Sequence, residues 1–224
     1  MIFFTKLYNY YKTIYFNLHY LPLHIAIKFP IKLVSSVKAI NLKRGQIVLD
    51  NWNKNNCYHI LLGGGKSPAL QSYPRITIRM ADNAKLFFKG TAIISEGTSL
   101  RADKNAKIVI GKNFYCNADN YLRAGSGDTI SFGNDCLLGW SNIINTTDGH
   151  NIWVKNIKSP QNGNININNH VWITTRCIIG KKVSIANDCV VASNSVVTKS
   201  INESNCLIAG LPAKCIKTGI DWKI

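Results

Sequence analysis

The run INI-NNHVWI-TTRCII-GKKVSI-ANDCVV-ASNSVV-TK, residues 165–199, repeats every six residues. Ile165, Val171, Cys177, Val183, Cys189 and Ser195 form one series, and Ile167, Ile173, Ile179, Ile185, Val191 and Val197 form a second, two places behind. Only Ser195 among them is clearly polar. An amphipathic helix would space its apolar residues by three and four, and an isolated strand would alternate without the longer beat. A fixed six-residue repeat rich in Val and Ile, broken by Gly, Asn, Asp and Lys, marks a parallel β-helix. Three units, about 18 residues, close one coil of a triangular prism, and successive coils stack about 4.8 Å apart. One series is expected to fill the prism and the other to sit at or near its corners.

Working upstream, the beat survives in fragments. Ile110, Cys116 and Leu122 are spaced by six, as are Ala124, Ile130 and Cys136, and again Phe132, Leu138 and Ile144. These series differ in phase, so insertions between coils are expected, and the prism is placed at 43–204. Asn117, Asn120, Asn134 and Asn142 suit corners, because Asn tolerates the left-handed backbone. Gly63-Gly64-Gly65, followed by Lys66-Ser67, lacks the spacing of a phosphate-binding loop and reads as a corner. Between Ile144 and Ile165 the phase breaks, so the segment NTTDGHNIWVKNIKSPQNGN, 145–164, leaves the prism as a protruding loop. Loops on rigid scaffolds often carry chemistry, and this one begins with Asp148-Gly149-His150.

The 224 residues suit one domain, and a hydrophobic content of 46% excludes a disordered chain. Lys and Arg number 27 against 11 Asp and Glu, a formal net charge of +16. Such a surface favours anionic partners, but no nucleic-acid module is present, so nucleic acid is not expected. The seven cysteines include no C-x-x-C pair and no zinc spacing. They are read as core fillers of a reduced, cytoplasmic protein rather than as a disulfide framework, and no metal is expected.

Residues 1–42 mix aromatics with Lys, lack the plan of a secretion signal, and contain no window apolar enough to span a membrane. A helix over 6–18 is expected, with Leu7, Tyr11, Ile14 and Leu18 on one face. The segment either caps the prism or rests, through residues 1–30, at an anionic membrane surface. Residues 205–224, with Pro212, read as a tail that caps the last coil.

The segment HVWITTRCIIGKKVSIANDCVVASNSVVTKS, followed by LIAGLPAKCIK, resembles the hexapeptide-repeat acetyltransferases, in particular those that modify bacterial capsule and lipopolysaccharide sugars. The resemblance implies an all-β, left-handed parallel β-helix, a homotrimer with sites at subunit boundaries, acetyl-CoA as donor and a carbohydrate acceptor. TTDGHNIW is similar to the family's catalytic loop, which makes His150 the general base, with Asp148 orienting it or contacting the acceptor, and Trp153 part of the acceptor wall. Removal of the hydroxyl proton as the oxygen attacks a thioester is work an imidazole does near neutral pH. For the donor, the resemblance implies Trp172, Thr175 and Ser193 along the pantetheine arm. It places Thr198 and Lys199 near the nucleotide, with Lys214 and Lys217 meeting a phosphate. Thr174, Ala192 and Asn194 stand where the family commonly has glycine. The competing readings are an N-acetyltransferase of amino sugar nucleotides and a non-catalytic β-helical assembly protein. A β-helical metal hydratase would need three placed His ligands, and His150 and His170 have no third nearby.

Overall fold

The computed structural model describes residues 2–53, 55–64 and 75–223, with side chains from residue 7 onward. Gly65, Lys66 and Ser67 lie outside them. Helices α1 (Ile2–Tyr20) and α2 (Leu23–Ala26) come first. The chain then winds through three parallel sheets, A, B and C, in fixed order, one strand in each per coil. The first coil is β1 (Ile31–Leu33), β2 (Val37–Ile40) and β3 (Ile47–Leu49). Next come β4 (Ile60–Leu62), β5 (Ile76–Met80) and β6 (Lys85–Phe88), then β7 (Ala92–Ile94), β8 (Ser99–Ala102) and β9 (Lys107–Ile110). The fourth coil is β10 (Phe114–Cys116), β11 (Tyr121–Ala124) and β12 (Thr129–Phe132). After β13 (Leu137–Leu138) and β14 (Ile143–Asn145) the chain leaves the prism as the hairpin β15 (Ile152–Val154) and β16 (Ile157–Ser159). It returns as β17 (Ile165–Ile167) and continues with β18 (Trp172–Ile173), β19 (Ile178–Ile179), β20 (Ser184–Ile185), β21 (Val190–Val191) and β22 (Val196–Val197). Finally β23 (Leu207–Gly210) joins sheet A, and β24 (Ala213–Lys217) folds back antiparallel on it.

This is the parallel β-helix expected from the repeats, with the left-handed turn that the resemblance implies. It begins earlier than residue 43, because β1 already pairs in register with β4, Ile31 opposite Ile60. The phase problem upstream has a simple origin. Ile78, Leu100, Leu122 and Ile144 stack in register, so those coils advance by 22 residues. Ile179 and Val197 stack 18 apart. Twenty-two is not a multiple of six, so the series slips at each coil.

One expectation is corrected. Both hexad series point inward, and all twelve side chains are buried. Positions i and i+2 of a strand share a face, so two series two places apart cannot divide between core and corner. Each fully buried Ile or Val contributes roughly 1.5–3 kcal/mol relative to an exposed one.

The corner reading of the asparagines is corrected as well. Left-handed residues recur every six at His170, Arg176, Lys182, Asp188 and Asn194, and those upstream include Asn83, Asn105, Asn113, Asp119, Asp135 and Ser141. Asn117, Asn120, Asn134 and Asn142 do not take positive φ. Asn120 and Asn142 are buried inside, where Asn142 Nδ2 donates to Asn120 Oδ1 (2.9 Å) and Asn120 Nδ2 donates to the Gly139 carbonyl (2.8 Å). A buried amide is tolerated because its donors and acceptors are matched coil to coil.

Helix α1 packs with a face other than Leu7, Tyr11, Ile14 and Leu18. Phe16, Thr13 and Asn17 are buried, whereas Leu7, Tyr11 and Leu18 are exposed. The two polar residues satisfy the open edge of β1. The Leu33 amide donates to Thr13 Oγ1 (3.0 Å), the Ile31 amide donates to Asn17 Oδ1 (3.1 Å), and Asn17 Nδ2 donates to the Ile31 carbonyl (2.6 Å). The helix thus substitutes for a missing strand and blocks edge-to-edge pairing.

Cys116, Cys136, Cys177 and Cys189 are buried fillers as expected, and burial pushes the Cys116 thiol up to about 12. Cys206 and Cys215 depart from that reading, being joined as a disulfide across the β23–β24 ribbon, where their Cα atoms lie 5.8 Å apart. At the same end Trp222 stacks on His170 (centroids 4.3 Å, 9° between planes) and donates Nε1–H to the His170 carbonyl (3.0 Å). His170 Nδ1 lies 2.9 Å from Asp188 Oδ1. His170 is therefore a corner residue that anchors the tail.

Candidate active site

The excursion at 145–164 leaves the edge between sheets B and C and is built as a stem, a turn and a tip. In the stem the Gly163 amide donates to the Thr146 carbonyl (3.0 Å) and the Asp148 amide to the Gln161 carbonyl (3.1 Å). Thr147 Oγ1 donates to Asn162 Oδ1 (2.9 Å). Asp128, a buried residue just before β12, anchors the root, because Thr146 Oγ1 donates to its Oδ2 (2.7 Å) and itself accepts from the Gly125 amide (2.8 Å). Burial holds the Asp128 carboxyl above its ordinary range, and the Thr146 hydroxyl offsets only part of that shift. The tip is β15 against β16, with Trp153 opposite Lys158.

His150 sits at the turn between stem and tip. Gly149 before it has φ +80°, a conformation that side-chain-bearing residues rarely adopt, so the glycine sets the direction of the turn. The imidazole is exposed. Asp148 makes no hydrogen bond to it among the described residues, and its Oδ2 is engaged by Lys181 on the next coil. Lys181 Nζ also donates to the Pro160 carbonyl (2.7 Å). One ammonium group therefore holds both arms of the excursion. Trp153 is exposed, as are Ile152, Val154 and Ile157 of the tip.

The candidate donor residues separate into groups. Thr175 and Ser193 lie at the edge between sheets A and B, whereas Trp172 stands on sheet A at the start of β18, beside Trp222 (5.9 Å). Thr174, in place of a customary glycine, turns its hydroxyl inward along the stack, donating to the Val191 carbonyl (2.7 Å) and meeting Ser193 Oγ at 3.1 Å. The extra side chain serves coil stacking. Thr198 and Lys199 are exposed at the B/C edge, two coils beyond the excursion, and Lys214 and Lys217 are exposed on β24. Sheet B thus separates Thr175 and Ser193 from His150 of the same copy, and Trp172 stands on sheet A. Sequence reasoning missed Asp128 and Lys181. Nothing in a six-residue pattern marks them, since each acts across coils.

Comparison with known proteins agrees with the fold. A solved structure of the polysialic acid O-acetyltransferase OatWY matches with a TM-score of 0.60 and 24% identity, covering 85% of this chain and 91% of that one. The galactoside O-acetyltransferase of Escherichia coli (strain K12) is 31% identical over 114 residues, 50% of this chain and 54% of the relative. The polysialic acid O-acetyltransferase of Escherichia coli O1:K1 / APEC is 32% identical over 123 residues, 54% of this chain and 39% of the relative. Over about half of its length the chain is similar to these sugar O-acetyltransferases. No protein-family model matches it, and the chain spans about half the length of the curated relatives it matches. Among the described residues no helix is long and apolar enough to cross a membrane.

Proposed function

We propose that this chain is an acetyl-CoA-dependent O-acetyltransferase that acetylates a sugar hydroxyl of a bacterial surface polysaccharide, capsule or lipopolysaccharide. The observation that carries the reading is the pinned excursion. A β-helix has no structural use for a 20-residue detour whose stem is tied by Asp128, Thr146 and Lys181 and whose turn exposes one imidazole. The galactoside and polysialic acid relatives are named for O-acetyl transfer, which favours a hydroxyl over the amine of an amino sugar nucleotide, and an enzyme over an assembly protein.

In this reading His150 takes the proton of the acceptor hydroxyl as its oxygen attacks the thioester carbonyl. The C–S bond breaks, the thiolate of coenzyme A leaves, and the imidazolium returns the proton to it. Direct transfer needs donor and acceptor together, which proximity makes efficient. Trp172, Thr175 and Ser193 flank the pantetheine arm and Thr198 and Lys199 the nucleotide. Lys214 and Lys217 offer cations to its phosphates. Because Thr175 and Ser193 lie across sheet B from His150 and Trp172 stands on sheet A, a complete site is formed between two copies of a homotrimer, the exposed tip residues Ile152, Trp153, Val154 and Ile157 packing on the neighbour. Trp153 then walls the acceptor side. The outward face of α1, with Tyr8, Tyr10, Tyr11 and Tyr15 exposed beside Lys12, suits peripheral contact with the cytoplasmic face of a membrane through residues 1–30.

The test is release of free thiol from acetyl-CoA with matched hydroxyl and amino sugars. Release that depends on the hydroxyl acceptor, with an ester-linked acetyl in the product, is expected. Release only with the amine would move the assignment to N-acetylation, and no release with any acceptor would overturn it.

A further inference from the structure

We propose that Arg79, Arg101 and Arg123 form a cationic ladder that holds an acidic glycan acceptor in front of His150. The proposal rests on the transferase reading above and adds to it the class of the acceptor. The three arginines are 22 residues apart and stack in register on β5, β8 and β11, Arg79 opposite Arg101 and Arg101 opposite Arg123. Alternate positions of these strands, Ile78, Leu100 and Leu122, are buried, so the arginines line the outer face of sheet B. Successive rungs therefore leave the backbone about 4.8 Å apart.

Like charges stacked on adjacent strands oppose folding, and Asp103 compensates only part of this row. Its Oδ1 accepts from Arg101 Nε (2.8 Å) and its Oδ2 from Arg123 Nε (3.1 Å) and Nη2 (3.0 Å). Arg79 is exposed and makes no salt bridge among the described residues. Three cations against one anion leave two net positive charges on three consecutive strands. Asp103 fixes two of the guanidinium planes and Tyr121 meets that of Arg101, which leaves the exposed Arg79 as the rung best placed for bidentate capture of a carboxylate.

The ladder points at the candidate active site. The rung after Arg123 is Asn145, the first residue of the excursion. A Cβ on Gly149, next to His150, would lie 4.0 Å from Arg123 Nη1. The row also lies on the opposite side of the excursion from the donor residues. Arg79, Arg101 and Arg123 belong to coils that precede it, whereas Trp172, Thr175, Ser193, Thr198 and Lys199 belong to coils that follow it. Donor phosphates are therefore not the anions this row faces, and an extended acidic polymer running along the prism is.

The test compares wild type with Arg79→Gln and Arg101→Gln in the full chain. The probes are oligosialic acid and oligogalacturonic acid, each paired with its carboxyl-reduced neutral form. Binding is measured by calorimetry without acetyl-CoA, and turnover by thiol release. Each substitution is expected to weaken binding of an acidic probe by about tenfold and to flatten its salt dependence, with the KM for acetyl-CoA unchanged. Arg79→Lys is expected to recover part of the loss. Equal binding of acidic and neutral forms, no binding of either acidic probe, or a raised KM for acetyl-CoA instead would overturn the ladder. The two readings separate cleanly. Acetylation of neutral glycans with no acidic preference sinks the ladder alone, and arginine-dependent acidic binding without any turnover sinks the transferase reading alone.

Discussion

His150→Ala is expected to lower kcat for acetyl transfer by roughly a hundred- to ten-thousand-fold, with the fold intact. The imidazole is exposed and makes no hydrogen bond among the described residues. Its removal should shift stability by no more than about 0.5 kcal/mol. The loss falls on the chemical step, because no other candidate base lies at the turn. Asp148 is already tied to Lys181, whose Nζ also reaches Pro160. A matched pair of measurements separates the effects. Thermal melts of wild type and variant should superimpose, while acceptor-dependent thiol release collapses at saturating acceptor and donor. A variant that keeps more than a tenth of wild-type kcat would remove His150 from the chemistry.

The second large effect concerns the stacking of coils. Gly139→Ala is expected to destabilise the fold by about 3 kcal/mol or more, beyond what over-packing costs where side chains can give way. A Cβ there would lie 1.9 Å from the carbonyl oxygen of Thr174 in the next coil. That oxygen belongs to a backbone locked by its own ladder bonds, the Gly139 amide donating to the Ile173 carbonyl (2.7 Å) and the Thr174 amide to the Val191 carbonyl (3.0 Å). No rotamer change relieves such a contact, so two coils must separate. Gly180→Ala is the control, since its Cβ would meet only the Val197 carbonyl at 3.5 Å, an ordinary contact. In a thermal melt Gly139→Ala should lose about 6 °C or more, and Gly180→Ala should stay near wild type. Equal melting of the two would mean the coils are less tightly stacked than described.

How much of this was legible in the sequence depends on which contacts repeat at what interval. The residues from Ile165 to Lys199 announce the prism because each short strand contacts its own kind 18 residues later. Upstream, where strands are longer, the interval is 22, and a search for sixes sees only fragments. The same 22-residue interval relates Arg79, Arg101 and Arg123, so their row was present in the sequence under a period not sought. Helix α1 was misread for a different reason. Its docked face uses Thr13 and Asn17 to complete the edge of β1, and an apolar pattern is blind to polar groups buried for their hydrogen bonds. The excursion was legible as a break in phase, with His150 at its turn. Lys181, which holds Asp148 and Pro160 at once, became visible only when the next coil was laid above the loop.

Catalysis by a site shared between copies is tested most directly by complementation. His150→Ala and Ser193→Trp chains, the second filling the A/B edge, are co-expressed with different tags and purified through both. Each variant alone is expected to be inactive, and the mixed oligomer should regain acceptor-dependent thiol release, because one of its boundaries joins an intact His150 to an intact Ser193 edge. A mixed oligomer no more active than its separate variants, or a fully active Ser193→Trp protein, would contradict the shared site.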